Sequence, residues 1–350
     1  MKIEREFGMV ILLVVVFAAS AALAEKPWAS APVKGQGKVV LRLGTATGED
    51  PTEAGKSAAE ALKRAMGDVA PKIVILSECF EDKPNKEKVL AGVTSVLPKD
   101  IVVGAATYGS FTQAGCTDAD SVCLAGIGGE GISVAAALAT NMGAAHLTYD
   151  GTKEIVHGRR KAAGAKLAQS LRRTPQDRLL VLLADAHAPK NQALMEGVQK
   201  VVGAGFPITG GCANKNAGQT FVYYGGRMHE DAAVAVMLSG DFQVGLSGRQ
   251  AKDNEAVIRT AGQGAQEAIG RNKGRPVAAL AFNCAGRRSK LKNIAEELVA
   301  IRKAIGAELP LFGCYCAGEM GPVDQADKPA GALCGGSGWH IMFTVLSTDH

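Results

Sequence analysis

The chain has 350 residues, enough for two or three domains or for one large multi-layer fold. Hydrophobic residues make up 47% of it and charged residues 21%, and this ordinary globular composition excludes a wholly disordered chain and a protein with many membrane spans. The net charge is +5, but acidic and basic residues are interspersed without a long run of Lys and Arg, so nucleic acid is not an expected partner.

The amino terminus is typical of a secretory signal peptide. An apolar run over residues 9–22 follows Lys2 and Arg5 and ends in the sequence Ala-Leu-Ala, a small-residue cleavage pattern. The run is shorter than the roughly 18–20 residues that span a bilayer, which favours cleavage over the alternative of an uncleaved membrane anchor. We therefore expect residues 1–24 to be removed, residues 25–37 to form a linker, and the mature protein to be periplasmic or extracellular without a stable membrane span.

Export changes the interpretation of the eight cysteines, because an oxidising compartment permits disulfides. The even count allows full pairing, but a fold of this size does not need disulfides for stability. Cys116 and Cys123 are close enough in the sequence to close a short ring, and the other pairings stay open.

The rest of the chain repeats the order helix, apolar strand, helix, strand three times. After an opening strand at 39–43, the predicted elements are helix 54–66, strand 73–76, helix 86–97 and a strand ending at 104–109; helix 158–171, strand 179–183, helix 191–202 and strand 207–211; helix 256–269, strand 277–282, helix 294–305 and strand 309–313.

Three glycines that we interpret as turn residues mark the period. Gly104, Gly210 and Gly313 are about a hundred residues apart, which is too long for a solenoid unit and indicates duplicated modules.

Each copy is also predicted to close with a hairpin-like β segment, at 121–139, 220–238 and 332–346. Short buried strands that alternate with longer helices predict an α/β fold, with multi-layer mixed sheets built from three pseudo-repeats of about 100 residues.

Polar side chains follow the predicted strands at the edge where ligands bind in open α/β sheets. If the copies pack around a common axis, one pocket could collect them. The candidate ligand-binding residues are Arg287, Glu319, Asn283, Cys284, Tyr315, Asp185 and Asn214.

The chemistry of this set predicts a small zwitterionic ligand such as an amino acid. Arg287 offers a planar fork suited to a carboxylate, whereas Glu319 and Asp185 could receive an ammonium group. The alternative is that Arg287 and Glu319 form a structural ion pair within the third repeat.

A cysteine-dependent hydrolase or redox enzyme is the alternative function. It would need Cys284 or Cys79 beside His187. The pair Cys314 and Cys316 lacks the C-x2-C spacing of structural zinc sites, and nucleotide-binding motifs are missing from the sequence. We therefore assign no catalytic residue, no metal and no cofactor.

Two segments of the third repeat resemble the carboxy-terminal half of the FIST domain. The segment AFNCAGR at 281–287 has the pattern F-x-C-x-G-R, and Glu296 or Glu297 follows it. The segment PLFGCYCAGEMGP at 310–322 has the pattern P-x-x-G-x-x-x-x-G-E-x-G-P. Residues 39–246 resemble the amino-terminal half.

The resemblance implies a FIST N-like domain with two repeats over residues 38–248 and a FIST C-like domain over residues 249–350. It also implies a sensory module that binds small ligands, such as amino acids, and is linked to signalling output domains. The sequence contains no kinase, methyl-accepting, cyclase or F-box segment. We therefore expect an exported binding protein that passes its signal to a separate, unknown partner protein.

Overall fold

The computed structural model describes residues 28–30, 38–143, 147–214, 220–324 and 330–349. The predicted signal peptide lies outside the described residues, as does most of the predicted linker. Within the described part of the chain, no helix is both long enough and apolar enough to cross a membrane.

Three modules of the same build follow one another along the chain, after a short strand β1 (Trp28–Ala29). The first module contains β2 (Val40–Thr47), α1 (Pro51–Met66), β3 (Pro71–Glu78), α2 (Lys83–Val96), a 3-10 helix (Lys99–Ile101), β4 (Val102–Ala106), β5 (Ser110–Thr112), β6 (Cys116–Thr117) and β7 (Ser121–Gly128). The second module contains β8 (Ile132–Ala139), α3 (Lys153–Gln169), β9 (Asp177–Ala184), α4 (Asn191–Val202), β10 (Ile208–Cys212), β11 (Val222–Tyr224), β12 (Arg227–His229) and β13 (Ala233–Gly240). The third module contains β14 (Gln243–Gln250), α5 (Asn254–Gly270), β15 (Arg275–Cys284), α6 (Ala285–Arg288), α7 (Ile294–Ile305), β16 (Leu311–Cys316), β17 (Glu319–Gly321), β18 (Gly335–Ser337) and β19 (His340–Thr348).

Short-range signals in the sequence set where several helices begin. Asp50, Asp82, Asp253 and Asn293 precede α1, α2, α5 and α7, and each side chain accepts a backbone N–H of the first turn. Such caps satisfy N–H groups that have no partner inside the helix. The predicted helices and strands are confirmed, with boundaries that differ by a few residues.

Each module forms a mixed four-stranded sheet. Its first strand lies at one side and is followed by its last strand, then by the strand after the first helix, which we call the inner strand, and then by the next strand along the chain, the outer strand. In the first module these are β2, β7, β3 and β4, and the inner and outer strands run parallel. The same order recurs in β8-β13-β9-β10 and in β14-β19-β15-β16. The predicted α/β class with three mixed-sheet repeats is therefore confirmed.

The predicted boundary between residues 248 and 249 falls within β14. All eight residues of this strand pair with β19 of the same module. The domain boundaries stay a prediction.

Each module contributes a short hairpin to the sheet of another module. The hairpin β5–β6 extends the third sheet through β16, β11–β12 extends the first through β4, and β17–β18 extends the second through β10. We call these the exchanged hairpins. They close a cycle in which every module both gives and receives one.

The predicted closing hairpins are wrong in their pairing. Strands β7 and β8 are consecutive within 121–139 but lie in different sheets, because β7 fills the gap between β2 and β3 whereas β8 opens the next module. The segment 220–238 contains the exchanged hairpin β11–β12 and then β13, which lies in another sheet, and 332–346 is likewise divided between β18 and β19.

Backbone hydrogen bonds join the ends of the three outer strands in a cycle, which we call the strand-end ring. The bonds run from Tyr108 N to Tyr315 O (2.9 Å), from Asn214 N to Ala106 O (2.9 Å) and from Ala317 N to Cys212 O (3.0 Å). In all three bonds, the N–H belongs to the same position of one module and the carbonyl to the same position of another. The modules pack around a common pseudo-threefold axis, as the repeat predicts.

The main hydrophobic core contains residues of all three modules and extends to helices α3 and α4 of the second module. Two smaller clusters contain the helix residues of the first and third modules. In the third module, alternate residues of β15 reach different cores: Leu280 and Phe282 the main one, and Ala279 and Ala281 the smaller one. A mixed sheet covered on both faces needs this continuous apolar sequence.

The glycines that mark the period lie inside strands and not in turns. Gly313 is the third residue of β16, where it pairs with Ala281 of the inner strand and with Phe111 of an exchanged hairpin. A Cβ atom at this position would lie 2.1 Å from the ring of Phe111. Gly104 and Gly210 occupy the same register in β4 and β10. Glycine is needed here because the strand is overlaid closely, and not because a turn requires it.

We expect Gly313→Ala to destabilise the protein by roughly 1–3 kcal/mol, because the new methyl group overlaps the Phe111 ring. Combining it with Phe111→Ala should cost less than the sum of the two single changes. Urea unfolding of the single and double variants measures this. Gly205→Ala is the matched control, since a Cβ atom there meets nothing within 4 Å. Additive effects at residues 313 and 111 would contradict the predicted contact.

Candidate functional site

Arg287 lies in α6 directly after the inner strand of the third module and is completely buried. Its Nη2 lies 3.0 Å from Glu297 Oε1, and its Nε donates to Asn283 Oδ1 at 3.0 Å. Asn283 in turn donates to Glu297 Oε2 at 2.8 Å. The three side chains close a hydrogen-bonded triangle between β15, α6 and α7.

The remaining N–H groups of Arg287 are also used. They donate to Val257 O (2.9 Å), Thr260 Oγ1 (3.1 Å) and Arg249 O (3.5 Å), all in or before α5. A guanidinium group has five N–H donors, so none is left for a ligand carboxylate. This geometry contradicts the predicted carboxylate clamp. The alternative, a structural ion pair, describes the role of Arg287 correctly. Its partner, however, is Glu297 and not the predicted Glu319.

Burial raises the pKa of Glu297, and the neighbouring charge of Arg287 opposes that rise. Because both side chains are almost fully inaccessible to water, the guanidinium group of Arg287 is the counter-charge of the buried Glu297 carboxylate. Arg287 and Asn283 therefore brace the third module, and they do not face a ligand.

Cys284 and Glu319 are brought together at the junction of the second and third modules. Cys284 ends β15 and is 8% exposed, whereas Glu319 begins the exchanged strand β17 and is fully buried. Glu319 Oε2 accepts the backbone N–H of His340 at 3.1 Å. Its Oε1 has no hydrogen-bond partner of good geometry among the described residues. An unpartnered carboxyl oxygen in a closed site is energetically costly, and this makes the position a candidate for ligand binding.

Burial holds the pKa of Glu319 well above its usual range, although the His340 N–H, the Cys284 thiol and the Arg287 charge all act to lower it. Burial therefore favours the protonated form of this carboxyl group. Burial, followed by the charge of Glu319, raises the pKa of the Cys284 thiol to about 12. The nearby backbone N–H groups of Trp339, Gly286 and Arg287 oppose this rise in the pKa.

Trp339 forms the rim of the Cys284–Glu319 site. Its backbone has a φ of 63°, a conformation that a bulky residue rarely adopts and that is concentrated at functional sites. The half-buried indole packs against Gly286, where a Cβ atom would lie 3.2 Å from the ring. The exposed side chains of Lys252 and Lys290 place their Nζ atoms 5.9 Å and 5.7 Å from the ring centre. A basic and aromatic rim thus borders a buried acid.

His340, next to Trp339, is buried and fixes the loop before β19. Its Nδ1 lies 2.8 Å from Gly338 O, and its Nε2 accepts the Asp324 N–H at 3.0 Å. Nε2 must be unprotonated to accept, so the ring is neutral, with its proton on Nδ1 donated to the carbonyl.

The other three predicted site residues lie around the strand ends but have different roles. The carboxylate of Asp185 is half-buried and accepts Thr220 Oγ1 at 2.7 Å and Asp231 N at 2.8 Å. Tyr315 is buried against Phe111, with ring centres 5.3 Å apart. Asn214 contributes a backbone N–H to the strand-end ring.

The alternative function needs a cysteine beside His187, but Cys79 and Cys284 are buried whereas His187 is exposed. Cys79 is buried and lies 3.8 Å from Asp118 O, and burial raises the pKa of its thiol to about 11. His187 is exposed on the loop after β9. All eight cysteines are free, and Cys116 and Cys123 lie in strands of different sheets, so the predicted short disulfide ring is wrong.

Sequence reasoning did not include Trp339, His340 or Glu297 among the site residues. Glu297 appeared only as one of two glutamates that follow the segment 281–287, because no local pattern connects it with Arg287. The run of glycines in GGSGWH at 335–340 was the available signal for Trp339, since such a run allows unusual backbone conformations.

Two family models match this chain and place it in the FIST family. The model of the FIST N domain matches residues 72–264, and the model of the FIST C domain matches residues 223–322. Among curated proteins, none matches this chain.

Solved structures that resemble the chain do so distantly. A cyanuric acid hydrolase described as a product of structural concatenation is 10% identical with a TM-score of 0.43, and the match covers 89% of this chain and 99% of that one. The cyanuric acid hydrolase from A. caulinodans gives 10% identity, a TM-score of 0.44 and the same two coverages. PurL of T. maritima, complexed with ATP, is 8% identical with a TM-score of 0.26, over 90% of this chain and 73% of that one.

We expect Arg287→Met to destabilise the protein by about 3–5 kcal/mol, because it leaves the buried Glu297 without its counter-charge. Lys161→Met is the matched control. Its partner Glu196 lies at a similar distance, 2.9 Å, but the two side chains are 53% and 44% exposed, so the loss should stay below about 1 kcal/mol. Urea unfolding compares the two. Equally small losses would contradict the bracing role of Arg287.

Proposed function

Since the chain belongs to the FIST family, whose domains are sensory, we propose that it is an exported sensory protein that binds a small ligand of the amino-acid class and passes the signal to a separate partner protein. The binding site is the junction where Cys284 and Glu319 meet beneath Trp339. The partner is a protein of unidentified chemistry.

The observation that carries the proposal is that Oε1 of the fully buried Glu319 has no hydrogen-bond partner of good geometry in the part of the chain that the structure describes. A carboxyl group at the end of a strand, where several modules meet, lies where ligands enter α/β folds. Asp185 already accepts hydrogen bonds on both oxygens, so Glu319 is the stronger candidate for a cationic group. An ammonium group placed beside Glu319 would favour its ionised form and cause it to release a proton.

The two lysines of the rim take the place that the sequence assigned to Arg287. Lys252 and Lys290 are exposed, and each lies within 6 Å of the centre of the Trp339 ring. A ligand with an ammonium group toward Glu319 and a carboxylate toward these lysines has the charge pattern of an amino acid. Because Glu319 is closed to solvent, residues around it must move for such a ligand to enter.

The raised thiol pKa values favour binding over the alternative of a cysteine-dependent hydrolase or redox enzyme. Such an enzyme needs a thiolate that is populated at its working pH. Burial raises the pKa of Cys284 to about 12 and that of Cys79 to about 11, so both are thiols near neutral pH. Nucleophilic catalysis would need a second event that removes the proton.

Binding of an amino acid should release protons, because burial raises the pKa of Glu319 and an ammonium group beside it would favour the ionised carboxylate. Calorimetric titration at pH 7 in two buffers with different ionisation enthalpies measures this release. A preceding thermal-shift screen of amino acids and small organic acids should identify the ligand, with a stabilisation of about 2.7 kcal/mol at a hundredfold excess over Kd.

Glu319→Gln should abolish the proton release and weaken binding, whereas Glu296→Gln on the exposed face of α7 should change neither. If amino acids bind without a proton release that depends on Glu319, the site lies elsewhere. A screen in which no amino acid or organic acid stabilises the protein would contradict the ligand class.

Export should be visible as removal of residues 1–24. Amino-terminal sequencing of the protein isolated from its native host is expected to begin at Glu25, after the small-residue cleavage pattern. The intact amino terminus recovered from the membrane fraction would instead support the anchor alternative.

A further inference from the structure

The first helix of the second module carries an excess of positive charge that its counterparts lack. α3 contains five basic residues and one acidic residue, whereas the equivalent helix α1 contains three and two, and α5 contains one and two. The excess continues past α3, since Arg172, Arg173 and Arg178 follow it and Asp177 is the one acidic residue among them. Because the three modules share one geometry, this charge is a property of the second module and not of the fold.

One exposed side of α3 presents the charge together with an apolar side chain. Ile155, Arg159, Ala162, Lys166 and Gln169 follow one another at steps of four and three residues, so they lie on the same side of the helix, and all five are exposed. We call this the α3 face. Ile155 is 52% exposed and is one of three exposed large hydrophobic side chains in the described part of the chain. Basic residues around an apolar side chain are typical of helices that lie on a membrane surface.

Several of these basic residues are free to attract an anionic partner. Lys161 and Arg173 each form an ion pair with an acidic residue of the same module. Lys153, Lys166 and Arg172 are exposed and have no ion-pair partner among the described residues. The positive potential of this surface is therefore only partly neutralised within the protein.

The short strand β1 connects the same module to the apolar run at the amino terminus. β1 pairs with β8 through Trp28 and Ala29, whereas the equivalent strands β2 and β14 are the outermost strands of their sheets in the described structure. α3 packs against β8, and Arg172 lines a narrow gap together with Ala29. Ala22, the last residue of the apolar run, is six residues before Trp28, so the connection spans at most about 22 Å. While that run lies in a bilayer, the second module is the one held beside the membrane.

We propose that the α3 face, together with Lys153 and Arg172, is a docking surface for an anionic lipid bilayer. The basic side chains lie among the negatively charged headgroups, and Ile155 inserts at the boundary with the acyl chains. Attraction by a few basic residues is weak and reversible, so the protein adsorbs to the bilayer without spanning it once residues 1–24 are removed. This goes beyond the proposed function, because the surface is separate from the Cys284–Glu319 site and needs no ligand.

An acidic segment of another protein is the other partner with complementary charge. The position of β1 favours the bilayer, because it brings this module and not the other two to the membrane. The basic surface and the attachment point thus belong to the same module, and they are independent observations.

Sedimentation with lipid vesicles tests the proposal on the processed protein, residues 25–350, which retains every described helix and strand. Vesicles of phosphatidylcholine alone are compared with vesicles that also contain phosphatidylglycerol. We expect the bound fraction to be several-fold higher on the anionic vesicles. It should fall as the salt concentration rises from about 0.1 to 1 M, because the screening length then shrinks from about 10 to 3 Å.

Variants locate the binding surface. Lys166→Glu combined with Arg172→Glu reverses two charges and should weaken binding to anionic vesicles by about tenfold or more. Lys63→Glu combined with Arg64→Glu is the matched control, since both residues are exposed at the end of α1 and the net charge changes equally. Ile155→Ser should weaken binding by a smaller factor and leave its salt dependence unchanged. All the substituted side chains are exposed, so thermal unfolding should confirm that each variant is folded.

Equal binding to neutral and anionic vesicles, or binding to neither, overturns the proposal. An equal loss in the α1 control also overturns it, because net charge and not the α3 face would then drive adsorption. If the wild-type protein binds soluble polyglutamate but not anionic vesicles, the α3 face belongs to an acidic protein partner and the membrane proposal is wrong.

Discussion

Three backbone hydrogen bonds between the ends of the outer strands hold the modules in register, and the arrangement of everything near the axis depends on them. Each bond fixes the end of one outer strand to that of another module, from Tyr108 to Tyr315, from Asn214 to Ala106 and from Ala317 to Cys212. Because these are backbone groups, the ring places no demand on the side chains. The three modules could therefore diverge in chemistry while keeping one geometry.

The divergence is clearest in the buried charges, since the modules use different groups near equivalent strand ends. The first module has Lys86 beside Glu78, with Tyr223 of an exchanged hairpin donating to the carboxylate at 2.6 Å. The third has Arg287 beside Glu297. Both pairs are closed to water and have partners within the protein, which suits a bracing role. Glu319 differs from them because its Oε1 has no hydrogen-bond partner of good geometry among the described residues, and this difference separates a candidate site from a structural network.

The sequence was sufficient to predict the repeat, the helices and the strands, because hydrophobic periodicity and capping residues act over a few positions. It was not sufficient for the exchange of hairpins. β7 and β8 follow each other closely, and nothing in either strand specifies that they enter different sheets. The sequence was also insufficient to predict which candidate site residues contact one another. Cys284 and Glu319 do lie together. Arg287 instead donates to Glu297 and to three oxygen acceptors before and within α5.

The exchanged hairpins also determine how this chain can be divided. A fragment that ends near residue 248 would keep β10 but lose β17–β18, and it would leave the edge of that sheet unpaired. The complementary fragment would carry β17–β18 with no sheet to join and would lack β5–β6 on its own. Unpaired edges promote aggregation, so the halves should behave poorly alone and recover solubility when expressed together. A chain of this kind resembles a permanently linked trimer more than a string of domains.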